Sequence, residues 1–313
     1  MQSMYEKLRC CSMPDTPACL TGTPNFLDTT GDEVDSIDAM DPLSDVLRVI
    51  SLDGGVFLDA QFTAPFSVLS HVEPADLRYA LPKSAHVMAY HYVYEGHLLL
   101  TVEGVAPVPL QAGDVVLLSR NDTHVLSSAP VLSGIDAGAL VAPAQGGRLA
   151  QIRFGGGGEP ARIVCGFLGL EDARHPLVGA LPQVLKLSVL DWSAGAWIET
   201  MFRYAAQESE ANRPGSESSL AKVSELLFAE AIRRHLEAAP EQRQGWLAGL
   251  ADPTIGRALA LLHERPAHAW TVEALAEQVH LSRSAFAERF AKVVGMPPLN
   301  YLATWRMQLA RRA

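Results

Sequence analysis

Residues 271–295 read TVEALAEQVHLSRSAFAERFAKVVG, and this stretch decides the architecture of the C-terminal part of the chain. Thr271 is a strong N-cap, and Trp270 before it is placed to pack on Leu275 as a hydrophobic staple, which sets where a first helix begins. Val272, Leu275, Ala276 and Val279 recur at helical spacing and give that helix one apolar face. Ser282 caps a second helix, whose Phe286, Phe290 and Val293 point into the same small core. Gly295 ends it, with Pro297 and Pro298 beyond. Two short helices joined by a tight turn make a helix-turn-helix, in which the second helix enters the DNA major groove. A plain helical hairpin with a solvated outer face shares this pattern, so the outer face has to be read as well.

On a helical wheel, the side opposite Phe286 and Phe290 carries Ser284, Ala287, Glu288 and Ala291, flanked by Arg283, Arg289 and Lys292. Together with Ser282 at the helix start, Arg283, Ser284, Ala287, Glu288, Arg289 and Lys292 are the candidate DNA-binding residues. The whole chain carries a net charge of −10. From Asp252 to the end, however, eight Lys/Arg face five Asp/Glu, giving +3 there and −13 for the first 251 residues. Positive charge is concentrated where phosphate would be met.

The run DPTIGRALALLHERPAHAWTVEALAEQVHLSRSAFAERFAKVVGMPPLNYLATWRMQLARR, residues 252–312, resembles the first half of an AraC-type DNA-binding domain over nearly its whole length. LSRSAFAERF followed by VGMPPLNYLATWRMQLA is its most specific part. The resemblance implies a transcription regulator that reads DNA through paired helix-turn-helix units joined by a long helix. It puts Ser284, Ala287 and Glu288 where base contacts are usually made, in agreement with the wheel. Two residues depart from the family pattern: His280 stands in the turn where glycine is usual, and Glu288 stands where arginine is common. Histidine adopts the left-handed conformation at modest cost. A carboxylate accepts from cytosine N4 but repels phosphate. The helix from Pro298, with Tyr301, Leu302, Trp305 and Leu309 on one face, resembles the connector between the two units. The chain ends inside it, so a truncated DNA-binding domain is expected, with impaired, weak or non-specific binding and with Trp305 and Leu309 short of surface to bury.

At 313 residues the chain is long enough for two domains. Apolar content of 48% and charged content of 19% suit a soluble globular protein. No apolar run spans a bilayer and no signal-peptide core begins the chain, so the expectation is a cytoplasmic protein with no membrane partner. Cys10, Cys11, Cys19 and Cys165 lack paired metal-ligand spacing and read as reduced thiols. Residues 1–39 have no apolar periodicity and are expected to be a disordered extension.

Leu43, Val46, Leu47 and Ile50 form a short amphipathic helix. From Gly55 the texture changes to short strands broken by Gly, Pro and Asp, as in a β-sandwich or barrel. Within it, YHYVYEGHLLLTVEGVAPVPLQAGDVVLLSRNDTHVL, residues 90–126, resembles the core of a cupin barrel. Cupin enzymes hold a metal with three histidines and a glutamate. Here His124 keeps its place, the glutamate position falls at or beside Ala89, and the HxH pair is reduced to His86. The resemblance therefore implies a sensor with His86, His91 and His124 in an effector pocket. His91 lies two residues from Ala89, hence on the same inward face. With His124, Cys165 and His175 it would furnish a soft zinc-type site if the fold joins all four. Gly155–Gly158 lacks the Lys-Ser/Thr of a phosphate loop and reads as a hairpin.

Trp197, Met201, Tyr204 and Ala205, then Leu220, Val223, Leu227, Ile232 and Leu236, mark two antiparallel helices whose apolar stripes suit either dimer contacts or packing on the barrel. The expectation is an α+β protein: an extension over 1–39, a cupin-like sensor barrel over 40–190, a helical pair and linker over 191–245, and an AraC-type segment over 246–313. It would be a homodimeric regulator binding DNA and a small-molecule effector, with no catalytic residues. The alternative is a cupin-type metal-dependent enzyme or ligand-binding protein with a helical assembly tail.

Overall fold

The structure is a computed structural model and describes residues 42–49, 52–73, 76–77, 81, 83–130, 134–142, 150–171, 176–191, 195–211, 216–238 and 245–312. The expected extension over 1–39, with Cys10, Cys11 and Cys19, and the candidate ligand His175 lie outside the described residues.

A short helix, α1 (Pro42–Val49), precedes the strands β1 (Leu52–Thr63), β2 (Ser67–Ser70), β3 (His86–Glu95), β4 (His97–Val102), β5 (Val108–Gln111), β6 (Asp114–Leu118), β7 (His124–Ser127) and β8 (Ile135–Asp136). After α2 (Ala137–Leu140) come β9 (Ala150–Gly155), β10 (Pro160–Leu170), α3 (Pro176–Ala180) and β11 (Val184–Ser188). They form a six-stranded sheet, β11-β6-β3-β10-β1-β9, and a five-stranded sheet, β5-β4-β7-β2-β8. The turn between β3 and β4 carries the chain from one sheet to the other. Gly96 makes that turn with φ +75°, and a Cβ there would sit 2.2 Å from the Pro160 carbonyl, so the position requires glycine.

The nearly continuous apolar run of β3 follows from burial on both faces. Ala89 and Val93 face the core between the sheets, with Ala60, Phe62, Leu100, Leu118, Leu126 and Ile163. Met88, Tyr90 and Tyr92 face a helical layer on the other side. That layer is α4 (Gly195–Ala211) and α5 (Ser216–Ala238). Tyr92 stacks on Phe202 at 4.4 Å between ring centroids. Tyr90 donates to the Gly55 carbonyl at 3.1 Å and meets the Ser224 hydroxyl at 2.7 Å. The buried Tyr90 phenol thus has its polar end satisfied. The helix pair therefore packs on the sheet. Of the two roles open to the α4 stripe, packing on the sheet falls to Ile198 and Phe202, which are buried, while Trp197 and Tyr204 are 45% and 41% exposed.

The helical core continues into α6 (Gly245–Ala251), α7 (Pro253–Glu264), α8 (Val272–Gln278), α9 (Arg283–Val294) and α10 (Pro298–Arg312). Helix α1 packs against α7 and α10. Asp45 on α1 places a carboxylate oxygen 3.7 Å from His263 Nδ1 on α7, and His263 Nε2 lies 2.7 Å from the Tyr301 hydroxyl of α10. Trp305 is 3% exposed and stacks on His263 at 4.0 Å. The expectation that Trp305 lacks burying surface is thus overturned, because the imidazole of His263 covers it; Leu309 is partly buried on the same core. No described helix is long and apolar enough to cross a membrane.

Candidate nucleic-acid interface

The helix-turn-helix is assembled by local chemistry at each of its corners. Thr271 Oγ1 accepts from the Ala274 N–H at 3.0 Å and starts α8. Ser282 Oγ accepts from the Ala285 N–H at 3.3 Å and starts α9. Each cap satisfies an amide that the first helical turn leaves without an intrahelical acceptor. Between them His280 adopts φ +57°, the left-handed conformation expected of it, and the Leu281 N–H bonds to the Ala276 carbonyl at 2.9 Å to close the turn. Gly295 ends α9 with φ +86°. Leu275, Ala276, Phe286 and Phe290 are buried, and the phenylalanine rings meet edge to face at 5.7 Å. Val294 is buried more deeply than Val293, which packs at the margin of the core.

Ser282, Arg283, Ser284, Glu288, Arg289 and Lys292 are exposed along α9, with Ala287 half-buried among them. The cations are not equally available. Arg283 is paired with Glu273 of α8. Arg289 reaches back to Asp252, Nη2 to Oδ2 at 2.7 Å. Asp252 is also the N-cap of α7, where Oδ1 accepts from the Thr254 and Ile255 amides at 2.9 and 3.0 Å. Burial pushes the Asp252 carboxyl up, but these amides and the Arg289 guanidinium outweigh it and hold it below its ordinary value. Arg289, read from the wheel as a DNA-facing cation, therefore braces α9 against α7. Sequence reasoning missed that brace because Asp252 and Arg289 are 37 residues apart, and only the crossing of the two helices joins them. Arg257 adds a second brace, donating to the Gln278 carbonyl at the end of α8 at 3.2 Å.

Between the two sheets lies a second polar site. His124 Nδ1 is 2.8 Å from the Asp122 carbonyl, an acceptor only, so Nδ1 carries the proton. His124 Nε2 is then an acceptor, 2.7 Å from His91 Nε2, which must donate. That leaves His91 Nδ1 to accept from the Cys165 thiol at 2.9 Å. The row from the Cys165 thiol through His91 and His124 to the Asp122 carbonyl is oriented in one direction, with the thiol and both imidazoles neutral. Burial, reinforced by the neighbouring His124, holds His91 well below the usual imidazole range, and burial lowers His124 to about 4. Burial, with Asp59 nearby, pushes the Cys165 thiol well above its ordinary value. His86 stands apart, bonded through Nε2 to the Ser119 carbonyl at 2.7 Å.

This geometry does not fit the zinc-type site. His91 spends its two ring nitrogens on partners at opposite sides, so Cys165 Sγ and His124 Nε2 lie in a line through the ring and do not converge on a point. Among the described residues no group of three or more His, Cys, Asp or Glu is placed to hold a metal ion.

Residues 41–237 match a family model described as cupin, and residues 262–303 match the model for bacterial regulatory helix-turn-helix proteins of the AraC family. A putative AraC-like transcription regulator of Streptomyces lividans is 34% identical over 276 residues, 87% of this chain and 85% of the relative. One from Streptomyces antibioticus is 35% identical over 278 residues, again 87% and 85%. The HTH-type transcriptional regulator AlkR of Acinetobacter baylyi is 29% identical over 223 residues, covering 70% of this chain and 72% of its own.

Proposed function

The chain belongs to the AraC-type transcription regulators, and on that premise we propose that it places α9 in the major groove, with Ser284, Ala287 and Glu288 toward base edges and Lys292 toward phosphate. Arg283 joins the phosphate contacts by leaving Glu273, an exposed pair that costs little to open. The observation that carries this reading is the outer face of α9: capped at both ends, anchored by Phe286 and Phe290, and lined by polar side chains that no neighbouring element covers.

Residues 40–190 form the sensing module, 191–245 the helical pair and linker, and 246–313 the DNA-binding segment. A small-molecule effector between the sheets would enter beside His91 and His124 and take over hydrogen bonds that they make to Cys165, to each other and to Asp122. Homodimer contacts fall on the outer face of α4, where Trp197 and Tyr204 are exposed.

The test is selection of bound duplexes from a randomised library by the 313-residue chain, at about 0.15 M ionic strength so that phosphate attraction alone is screened. Enrichment of one sequence family, lost on Ser284→Ala or redirected by it with folding unchanged, is the expected result. Retention without sequence preference would remove the base-reading role of α9.

A further inference from the structure

The centre of the DNA-facing surface carries a carboxylate, and its surroundings define what it can read. Glu288 is exposed on α9 and forms no ion pair among the described residues. Neither flanking arginine turns to it: Arg289 reaches Asp252, and Arg283 pairs with Glu273 and, on DNA, exchanges that partner for phosphate. Lys292 lies one turn along the same face, exposed, within reach of a phosphate. A helix entering the major groove with an unneutralised carboxylate at its centre meets two phosphate rows, and that repulsion opposes every sequence alike. Only a base that supplies a hydrogen bond to the carboxylate offsets it.

The major groove limits the choice sharply. Guanine presents N7 and O6, and thymine presents O4 and a methyl group, so neither donates. Cytosine offers its N4 amino group, and adenine its N6 amino group. Beside adenine N6 lies N7, an acceptor that faces the second carboxylate oxygen and repels it. Beside cytosine N4 lies only a C–H edge. From the unpaired Glu288 and its engaged neighbours we infer that this residue is a specificity determinant that demands cytosine at one position of each recognised site. The inference rests on the reading of α9 as the recognition helix and deepens it by naming the base. It also makes the chemistry reversible by one atom: an amide at residue 288 both donates and accepts, which matches adenine N6 and N7.

The experiment is parallel selection from a randomised duplex library by the 313-residue wild type, Glu288→Gln, Glu288→Ala and Ser284→Ala, each first shown to melt as wild type does. Residue 288 is exposed, so these variants keep the fold. Wild type is expected to enrich sites with cytosine at one position. Glu288→Gln is expected to change that position to adenine, and Glu288→Ala to lose preference there while keeping the others. Replacing that cytosine in the selected site should weaken wild-type binding roughly tenfold or more, the order of a single lost base contact. It should affect Glu288→Ala far less. An invariant position that stays the same in both Glu288 variants overturns the inference. If Ser284→Ala shifts a preference and the Glu288 variants do not, α9 still reads DNA and only the role of Glu288 falls. If none of the three alters any preference, the recognition-helix reading falls with it.

Discussion

His91 and His263 are both buried and both stand in the middle of a row of polar contacts, yet the two rows end on different chemistry. The His91 row runs from a thiol to a backbone carbonyl through two neutral imidazoles, inside the sheet sandwich alone. The His263 row begins at Trp246 on α6, whose indole N–H donates to the Tyr301 hydroxyl at 2.8 Å. Tyr301 then donates to His263 Nε2, which puts the imidazole proton on Nδ1, facing the Asp45 carboxylate on α1. Four helices meet in that row: α1, which precedes the sheets, and α6, α7 and α10, which follow them. The first row satisfies polar groups within one module. The second joins α1 to α6, α7 and α10 beside the helix-turn-helix.

The largest expected effect separates the two regions by damaging one of them. Phe290 is fully buried and lies edge to face with both Phe286 and Tyr301, at 5.7 and 6.0 Å. Phe290→Ala should cost about 3–5 kcal/mol and take the helix-turn-helix and the His263 row with it. A thermal scan monitored by tryptophan fluorescence, sensitive to Trp246 and Trp305, should show an early transition. An unchanged scan would place Phe290 outside the core.

Acid acts on the other region. His124 titrates near 4 in the folded chain against 6.5 for an ordinary imidazole, because burial disfavours its charged form. Between these values the unfolded chain binds the extra proton and the folded chain does not. Stability is therefore complete above pH 6.5 and falls as pH drops toward 4, by about 1.4 kcal/mol per pH unit and about 3 kcal/mol in all. His91, lowered in the same direction, adds to this loss. Urea midpoints measured across this range should fall steeply for wild type and less steeply for His124→Gln. Parallel curves for the two proteins would show that His124 does not titrate in the window.

Tyr301→Phe sharpens the comparison by cutting one row and sparing the other. It leaves the Trp246 N–H and His263 Nε2 buried without their partner, a loss of about 1–3 kcal/mol. The pH dependence set by His124 should be unaltered. If Tyr301→Phe shifted that dependence as well, the two rows would be coupled through the core, and their separation would have to be abandoned.

How much of this was legible follows the range of the interactions. Thr271, Ser282, His280 and Gly295 act on amides or torsions within a few residues, and their roles in the sequence survive intact in the structure. Alternation placed His91 inward beside Ala89, as found. Alternation does not say which nitrogen of a ring meets which neighbour, and that detail puts three of the candidate zinc ligands, His91, His124 and Cys165, in a row of hydrogen bonds. The α4 stripe was legible only in part for a different reason. Helical spacing marked Trp197 and Tyr204 as one apolar stripe without saying what it meets, and the structure packs Phe202 of the adjoining face on Tyr90 and Tyr92. The Asp252–Arg289 brace and the Asp45–His263 approach depend on helix crossings that no local pattern encodes.

The smallest expected effect lies in the turn between α8 and α9, remote from both rows. His280 sits at φ +57°, where an L-residue has its Cβ crowded against the backbone at roughly 1–2 kcal/mol, a cost that histidine bears better than most side chains. Glycine would relieve the crowding, and the backbone bonds that close the turn, His280 N–H to Glu277 and Leu281 N–H to Ala276, would remain. Against this, glycine gains freedom in the unfolded chain and gives back about 0.5–1 kcal/mol. Relief should exceed the loss by a few tenths of a kcal/mol up to about 1, so His280→Gly is expected to raise the melting temperature slightly. The imidazole is exposed, so little else changes with it. A clear drop in melting temperature would show that the His280 side chain holds the turn by a contact of its own, and that the left-handed torsion is a consequence of that contact and not a strain the turn imposes.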